Sequence, residues 1–557
     1  MKFISMKKRI TRIVAIISIA AISITSFGFA DSYFEVSKNL DIFATLFREL
    51  NIYYVDDADP GKLMKTGIDA MLESLDPYTN FIPESNMEDY KMMTTGQYGG
   101  IGALIQTQDN KVVISEPYEG YGAFKAGLRA GDKIIAIDGK SALGKTSSEI
   151  REFLLGQPGT TLEITIERPG ETKQFTKTVT REEVKIKDVP YFGMLKDSVG
   201  YIRLTGFTES ASAEVKTALT SLKEQHAKSI ILDLRGNGGG LLRESVNIVN
   251  LFVEKGTPVV STKGKITEWD KEYRALSTPI DTKIPLVVLI DGNSASASEI
   301  VSGSLQDNDR AVIIGSLSFG KGLVQQVRPL SYNSKLKVTV AKYYTPSGRC
   351  IQKLDYSHRN GDGKVDEIPD SLITEFKTIV NKRSVFDGKG ISPDIDVERK
   401  MLSDISASLL LKNLFFNYAT EYRIKHETIN EVQNFSLTDE EYEDFVHYLE
   451  GKDYSYTTES EDILTKLEEA TKEDHYFDDV KTEYEALKTK LTHNKKSDLY
   501  KFKDEIKYVL ESEIVTRYYY QRGQIENSFK NDPTLDEAIK TLTNPNLYQS
   551  ILAGTKK

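Results

Sequence analysis

The chain has 557 residues, of which 39% are hydrophobic and 28% are charged, which is enough apolar sequence for several separate cores. A formal net charge of −10 excludes the strongly basic class of nucleic-acid-binding proteins, so we expect no nucleic acid among its partners. The one cysteine, Cys350, excludes an intrachain disulfide.

The first 30 residues have the composition of an export signal. An apolar run over residues 13–30 ends in small residues and follows a group of basic residues. Those basic residues are Lys2, Lys7, Lys8, Arg9 and Arg12. We predict a signal peptide over residues 1–30, cleaved after Ala30, and therefore an exported protein of the periplasm or another extracytoplasmic space. The apolar run is about 18 residues long, so an uncleaved membrane anchor is the alternative.

Two regions of different character follow the signal. Residues 31–96 have apolar residues at helical spacing and are predicted to form an N-terminal helical region. Residues 97–182 alternate short strands with glycine turns, and AGLRAGDKIIAIDG at 126–139 is a PDZ-domain signature. A generic small β-domain is the alternative interpretation of this second region.

A PDZ-like domain binds a peptide by adding it as a strand to the edge of a sheet. The terminal carboxylate of such a peptide is held by backbone N–H groups of a glycine-rich loop. We predict that loop to be Gly99, Gly100, Ile101 and Gly102.

Residues 183–400 alternate buried strands with helices. Four apolar runs of strand length succeed one another, at 199–204, 229–234, 285–290 and 311–315. This order predicts a mostly parallel sheet with crossover helices. The predicted fold class is multidomain α/β, with a PDZ-like β-rich domain and helical N- and C-terminal regions.

A serine and a lysine in this region have the setting of a nucleophile and its base. The strand ending at Asp291 is followed by a Gly-Asn turn and by a helix predicted from Ser294 onward, which puts Ser296 at a helix N-terminus. Free N–H groups at that end can stabilise an oxyanion. Lys321 follows the next strand and lies between two glycines.

The base is either a lysine or a distant histidine. No histidine lies between residues 227 and 357; the six in the chain are His226, His358, His426, His447, His475 and His493. A triad with a distant histidine remains open, but the compact arrangement is a Ser-Lys dyad. Lys321 must then be neutral, whereas free lysine has a pKa of about 10.4. The next residues are predicted to form a strand with Gln325 on the lysine's side and Gln326 opposite, so Gln325 can orient the amine.

Two segments resemble the carboxyl-terminal processing (tail-specific) protease family, namely SASASE at 294–299 and DLRGNGGGLL at 233–242. Shorter matches are LDPYTNFI at 75–82, YYTPSGRCIQ at 343–352 and GISPDI at 390–395.

The resemblance assigns roles to individual residues. It implies that Ser296 is the nucleophile, Lys321 the base and Gln325 an accessory group. It also implies an oxyanion hole made by the backbone N–H groups of Gly240 and Ala297. The protease core, residues 183–400, is then expected to resemble the crotonase and caseinolytic-protease superfamily.

Residues 401–557 are charged and have helical spacing of apolar and aromatic residues. We predict a C-terminal helical domain with its own core, because acidic residues interleave throughout and argue against a nucleic-acid or membrane surface. A role in oligomerisation or partner docking stays open.

The sequence thus predicts an exported serine endopeptidase that cleaves polypeptides near their C-terminal tails through an acyl-enzyme. Its expected partners are protein or peptide substrates with free C-termini, and a membrane-tethered or oligomeric assembly is left open. A catalytically idle PDZ-bearing adaptor is the alternative, and a coenzyme A enzyme on the same core is a weaker one. We expect no cofactor and no metal: the stretch from His358 to Pro369 imitates an EF-hand loop, but Pro369 stands where that loop needs a glutamate.

Overall fold

The computed structural model describes residues 34–359, 363–398, 401–491 and 495–555. The predicted signal peptide, residues 1–30, lies outside them. The chain divides into two compact units, the first ending at Phe81 and the second beginning at Ile82. Within the described residues, no helix combines the length and the apolar character that crossing a membrane needs.

The described part of the first unit is mainly helical, whereas the helical region was predicted over residues 31–96. Helix α1 spans residues 34–53, and α2 spans Pro60–Glu73. Asp59 caps α2 by accepting the backbone N–H groups of Gly61 and Lys62. A short strand, β1 (Asn80–Ile82), ends this part of the chain.

The PDZ-like region is an antiparallel sheet with two helices. It follows helix α3 (Met87–Thr95). Its elements are β2 (Gln97–Gly100), β3 (Ala103–Gln108), β4 (Lys111–Pro117), α4 (Gly122–Lys125), β5 (Lys133–Ile137), β6 (Lys140–Ser141), α5 (Ser147–Leu154), β7 (Thr161–Glu167), β8 (Phe175–Thr180) and β9 (Glu182–Lys185). The main sheet has the order β3-β4-β5-β7-β8, and β2 pairs separately with β9. The chain therefore enters and leaves this region through one antiparallel pair.

The next region is a mixed α/β core. Its first elements are β10 (Tyr191–Met194), β11 (Val199–Arg203), α6 (Ala211–Glu224), β12 (Ser229–Asp233), α7 (Leu242–Asn250), β13 (Pro258–Gly264), β14 (Lys271–Arg274), β15 (Leu286–Ile290), α8 (Ala297–Asp307) and β16 (Val312–Gly315). They are followed by β17 (Leu323–Pro329), β18 (Lys335–Tyr344), β19 (Leu354–Arg359), β20 (Val365–Glu367), β21 (Glu375–Lys377), β22 (Ser384–Phe386) and β23 (Ile395–Asp396).

The main sheet of this core has the order β10-β11-β12-β15-β16-β23. All its pairs are parallel except β10 with β11, which confirms the predicted mostly parallel sheet. The central strands are apolar on both faces, as expected for a sheet covered on both sides. In β15, Leu286, Val288 and Ile290 face one apolar cluster, whereas Val287 and Leu289 face another.

The C-terminal region is helical. It comprises α9 (Asp404–Leu411), α10 (Leu414–Lys425), α11 (Asp439–Tyr448), α12 (Glu459–Glu473), α13 (Phe477–Leu491), α14 (Lys495–Lys501), α15 (Lys503–Ser528), α16 (Pro533–Thr543) and α17 (Pro545–Leu552). The predicted separate core is present and includes Phe415, Phe445 and Leu510.

The last two helices, α16 and α17, pack on the main sheet of the α/β core and not on the C-terminal helical core. Leu535 and Ala538 of α16 and Ile551 of α17 lie against Val287 and Leu289 of the main sheet. The hydroxyl oxygen of Tyr548, also on α17, accepts a hydrogen bond from the backbone N–H of Leu286 at 3.0 Å. Helices α16 and α17 therefore cover one face of the α/β sheet.

Candidate active site

Ser296 lies in a strained turn between β15 and α8. Its φ of 56° and ψ of −111° fall in a region that residues other than glycine rarely adopt, at a cost of roughly 1–3 kcal/mol. Its carbonyl accepts the N–H of Ile300 at 2.9 Å and the hydroxyl of Tyr343 at 3.2 Å. Helix α8 begins at Ala297, so the helix predicted from Ser294 starts three residues later and Ser296 is its N-cap. The backbone of Ser296 is thus held by hydrogen bonds in a conformation that serine rarely adopts.

The carboxylate of Glu299 joins this turn to the lysine loop. Its Oε2 accepts the N–H of Ser296 at 2.8 Å and the N–H of Lys321 at 2.9 Å. Its Oε1 accepts the N–H of Gly320 at 2.7 Å and the hydroxyl of Ser318 at 2.6 Å. Glu299 is fully buried, and burial raises its pKa even though these donors act to lower it. One side chain thus fixes the backbones of both predicted dyad residues.

Glu299 is a site residue that the sequence reasoning missed. A signal for it exists, because Ser296 and Glu299 have the spacing of a capping box, in which the third residue after the cap reaches back to the cap's N–H.

The lysine loop is fixed on its other side by close packing of two glycines. A methyl group on Gly320 would lie 2.5 Å from the Cβ atom of Lys353, and one on Gly322 would lie 2.8 Å from the N atom of Gln352. The N–H of Gly322 donates to the side-chain oxygen of Gln352 at 2.8 Å. Lys321 itself is half-buried. These contacts explain why glycines flank the lysine.

Gln325 lies on β17, as the predicted strand requires. It is half-buried, and its amide donates to the hydroxyl of Thr339 on β18 at 3.1 Å. The pairing of β17 with β18 shifts register here, because Val324 pairs with Ala341 and Gln325 with Thr339. This register shift lies within the segment over which alternation of side chains placed Gln325 on the same side as Lys321. The orientation of the lysine amine by Gln325 therefore stays a prediction.

The glycine loop, residues 234–241 between β12 and α7, lies directly against the serine turn, residues 291–296 between β15 and α8. A methyl group on Gly239 would lie 2.9 Å from the Cβ atom of Ser296 and 3.0 Å from the N atom of Ala297. The N–H of Gly239 is already bonded, because it donates to the side-chain oxygen of Asn237 at 2.9 Å. The next N–H along the chain is that of Gly240, the predicted oxyanion donor. Ala297 is the first residue of α8, where backbone N–H groups have no partner within the helix. The predicted oxyanion donors are thus in neighbouring segments.

The two outer serines of SASAS hold the loop and the turn together. The hydroxyl of Ser294 donates to the carbonyl of Leu234 at 2.9 Å, and that of Ser298 donates to the carbonyl of Asn237 at 2.8 Å. Both serines are fully buried, whereas Ser296 is half-buried. Of the three, only Ser296 has the exposure that attack on a substrate requires.

In the predicted peptide-binding loop of the PDZ-like region, Gly102 cannot be replaced by another residue unless neighbouring atoms shift. Gly102 has φ of 71°, and a methyl group there would lie 2.5 Å from the Cβ atom of Tyr121. Gly99 and Gly100 belong to β2 and pair with β9, whereas Ile101 is buried and its carbonyl accepts the N–H of Ala123. The predicted loop thus consists of two strand residues, Gly99 and Gly100, and a two-residue connection that leads into β3.

That first strand, β3, is at the end of the five-strand order, with β4 on one side. Helix α5 lies beside it, and the N–H of Ser147 donates to the hydroxyl of Thr107 at 3.0 Å. An edge strand next to a helix is the arrangement that accepts an added peptide strand.

Comparisons with known proteins agree with this architecture. The sequence matches the model of Peptidase family S41 over residues 198–357, a PDZ domain over 113–168 and the C-terminal helical domain of probable PDZ-proteases over 405–542. It is 38% identical over 319 residues to a carboxy-terminal-processing protease of Bartonella bacilliformis, covering 57% of this chain and 73% of that protein.

A probable CtpA-like serine protease of Staphylococcus aureus is 34% identical over 357 residues, covering 63% of this chain and 70% of that protein. Among solved structures, a photosystem II D1 C-terminal processing protease aligns with 29% identity and a TM-score of 0.35, over 65% of this chain and 93% of that one. The chain belongs to the carboxy-terminal-processing proteases, which are serine peptidases of family S41.

Proposed function

We propose that the protein is an exported endopeptidase that cleaves polypeptides near their C-termini with Ser296 as nucleophile and Lys321 as general base. The observation that carries this proposal is the carboxylate of Glu299, which binds the backbone N–H groups of both residues. A shared acceptor fixes the relative position of nucleophile and base, and positioning of this kind lowers the barrier to reaction.

The reaction begins with attack of the Ser296 hydroxyl oxygen on the scissile carbonyl carbon. The neutral amine of Lys321 takes the hydroxyl proton, and the carbonyl oxygen becomes an oxyanion. The backbone N–H groups of Gly240 and Ala297 donate to that oxyanion, and the positive end of the α8 dipole stabilises it further.

The C–N bond then breaks, and the ammonium of Lys321 returns its proton to the departing amine. This leaves an ester between Ser296 and the N-terminal part of the substrate. Water attacks the ester carbon while Lys321 takes one of its protons. When the second oxyanion collapses, the bond between the carbonyl carbon and the Ser296 oxygen breaks, Lys321 returns the proton to that oxygen, and the acid product leaves as a carboxylate. The cycle needs no metal and no cofactor.

The PDZ-like region supplies the substrate. The edge of β3 pairs with an extended C-terminal segment, and the loop ending at Gly102 binds its carboxylate. Capture of the tail raises the local concentration of the adjoining chain near Ser296. The division into residues 1–30, 31–96, 97–182, 183–400 and 401–557 and the crotonase-like character of the core are parts of the same proposal.

The test is incubation of the purified mature protein with an unfolded polypeptide, with the products followed by mass spectrometry. We expect wild type to release C-terminal fragments and Ser296→Ala to release none. Binding of the polypeptide without cleavage by wild type would instead support the idle adaptor.

A further inference from the structure

The guanidinium of Arg235, on the glycine loop, lies between two carboxylates from distant parts of the chain. It donates to Asp233 at 2.7 Å, at the end of β12. It also donates to both carboxylate oxygens of Asp532, at 2.9 and 2.7 Å, and Asp532 lies 297 residues later in the chain. The second contact is a bidentate pair, the geometry in which an arginine is held most firmly.

These groups form a mostly buried ion cluster. Asp233 is fully buried and also binds Arg203 at 2.7 Å and the hydroxyl of Tyr201 at 2.6 Å. Burial alone would raise the pKa of Asp233, but Arg235 and Arg203 together lower it below its usual range. The two arginines and the two aspartates balance in charge. Removal of Asp532 would leave one positive charge uncompensated.

The backbone around Arg235, like Gly239 further along the glycine loop, contacts the serine turn. The carbonyl of Leu234 accepts the hydroxyl of Ser294, and the N–H of Gly236 donates to Asp291 at 2.9 Å. The carbonyl of Asn237 accepts the N–H of Ala295 at 3.1 Å. Arg235 therefore lies within the segment that bonds to the serine turn and leads on to Gly240.

Asp532 has a fixed position of its own. It is the N-cap of α16, accepting the N–H of Leu535 at 3.0 Å, and Pro533 occupies the first helical position. Helix α16 packs on the main sheet, so the carboxylate is attached to the same layer that supports β12 and β15. The C-terminal region thus presents a rigidly placed anion to the glycine loop.

We propose that Asp532 is a positioning residue for catalysis, acting through Arg235 to hold the oxyanion-binding segment in place. The C-terminal region is then part of the peptidase machinery rather than only a structural addition. This inference rests on the proposed function, because the segment it positions is the oxyanion hole of that mechanism.

Asp532→Asn separates the two roles of the side chain. Asparagine caps a helix about as well as aspartate, so the cap on α16 is retained while the charge facing Arg235 is lost. We expect kcat on an unfolded polypeptide to fall on the order of tenfold or more, with KM within about twofold of wild type, because the loss falls on positioning and not on substrate binding. Asp532→Glu keeps the charge and should recover most of the lost kcat.

The matched control is Asn544→Ala. Asn544 caps α17, the next helix on the same sheet face, and accepts the N–H of Leu547 at 3.1 Å. Its loss should lower the thermal unfolding midpoint while leaving kcat within about twofold of wild type at temperatures well below that midpoint.

A double-mutant cycle keeps the proposal testable if Asp532→Asn is poorly folded. Arg235→Gln should lose kcat, and Arg235→Gln with Asp532→Asn, which leaves neither charge of this pair uncompensated, should lose no more kcat than Arg235→Gln alone, since Asp532 acts on kcat only through the arginine. Additive losses, or a kcat for Asp532→Asn equal to that of wild type, would overturn the inference. Wild type and Ser296→Ala are measured in the same assay, and equal cleavage by these two would reject the proposed function instead.

Discussion

The backbone N–H of Lys321 donates to the buried carboxylate of Glu299 at 2.9 Å. The same oxygen accepts the N–H of Ser296, so the carboxylate that caps helix α8 also fixes the lysine loop. In the proposed Ser296–Lys321 dyad, this glutamate positions the backbones of both residues, as the aspartate of a triad positions its histidine.

Glu299→Gln is therefore expected to reduce kcat strongly, on the order of a hundredfold, by loosening the geometry of nucleophile and base. An amide has one acceptor oxygen in place of two, so buried donors are left unpaired at about 1–3 kcal/mol each. The measurement is steady-state cleavage of an unfolded polypeptide, together with thermal unfolding.

Glu511→Gln is the control for a buried glutamate away from the site. Glu511 accepts the hydroxyl of Ser436 at 2.8 Å and the N–H of Leu437 at 2.9 Å within the C-terminal core. Both donors meet the same oxygen, Oε1, which the amide of glutamine retains, so this replacement should leave kcat unchanged and lower the stability less than Glu299→Gln does. Equal effects of the two substitutions on kcat would show that Glu299 acts only through stability.

Activity should rise with pH, because the free enzyme must lose the Lys321 proton before Ser296 can react. The profile of kcat/KM should rise through the alkaline range and not level off near the pKa of histidine, about 6.5. Chelators should leave the rate unchanged. A profile that levels off near pH 6.5, the value for histidine, or activity lost with EDTA and restored by zinc, would remove Lys321 from the role of base.

A substrate peptide with a free C-terminus should be cleaved faster than its amidated twin, and Gly102→Ala should abolish that preference. The added methyl would lie 2.5 Å from the Cβ atom of Tyr121. Gly139→Ala is the matched control, because Gly139 has a similar φ of 74° but open space around it. Both variants carry the same backbone strain, so only the clash distinguishes them. Equal rates for the two peptides with wild type would reject carboxylate capture.

Leu535→Ala should destabilise the protease core by about 2–5 kcal/mol, because Leu535 is buried between α16 and the main sheet. Leu411→Ala should change the free energy of unfolding by less than about 0.5 kcal/mol, since Leu411 is 81% exposed. The change in the free energy of unfolding of both variants is measured by chemical denaturation, with cleavage activity as the probe of the folded state. A stable, fully active Leu535→Ala variant would contradict the role of α16 as a layer of the core.

The sequence predicted most of the architecture because the strands of the core are short apolar runs separated by helices. The position of Ser296 at a helix N-terminus followed from the strand and turn before it. Glu299 was within reach of the same reasoning, through its capping-box spacing.

Long-range contacts were beyond the reach of local patterns. The apolar face of α16 could be read from helical periodicity, but periodicity does not say whether the face packs on a helical core or on a sheet. The pairing of Arg235 with Asp532 depends on that packing and has no local signal. The register shift beside Gln325 likewise arises from pairing with β18. The side on which Gln325 lies was predicted only from the segment between Lys321 and Gln326, which does not include β18.

The most direct measurement of the central claim is covalent labelling with a serine-directed phosphonate, mapped by mass spectrometry. We expect one adduct, on Ser296, formed rapidly in wild type and in Ser294→Ala and Ser298→Ala, whose buried hydroxyls contribute only hydrogen bonds of about 1 kcal/mol. Lys321→Ala should slow the labelling by on the order of a hundredfold or more, because the base is lost. An adduct on any other residue, or labelling of Lys321→Ala at the wild-type rate, would contradict a Ser296–Lys321 dyad.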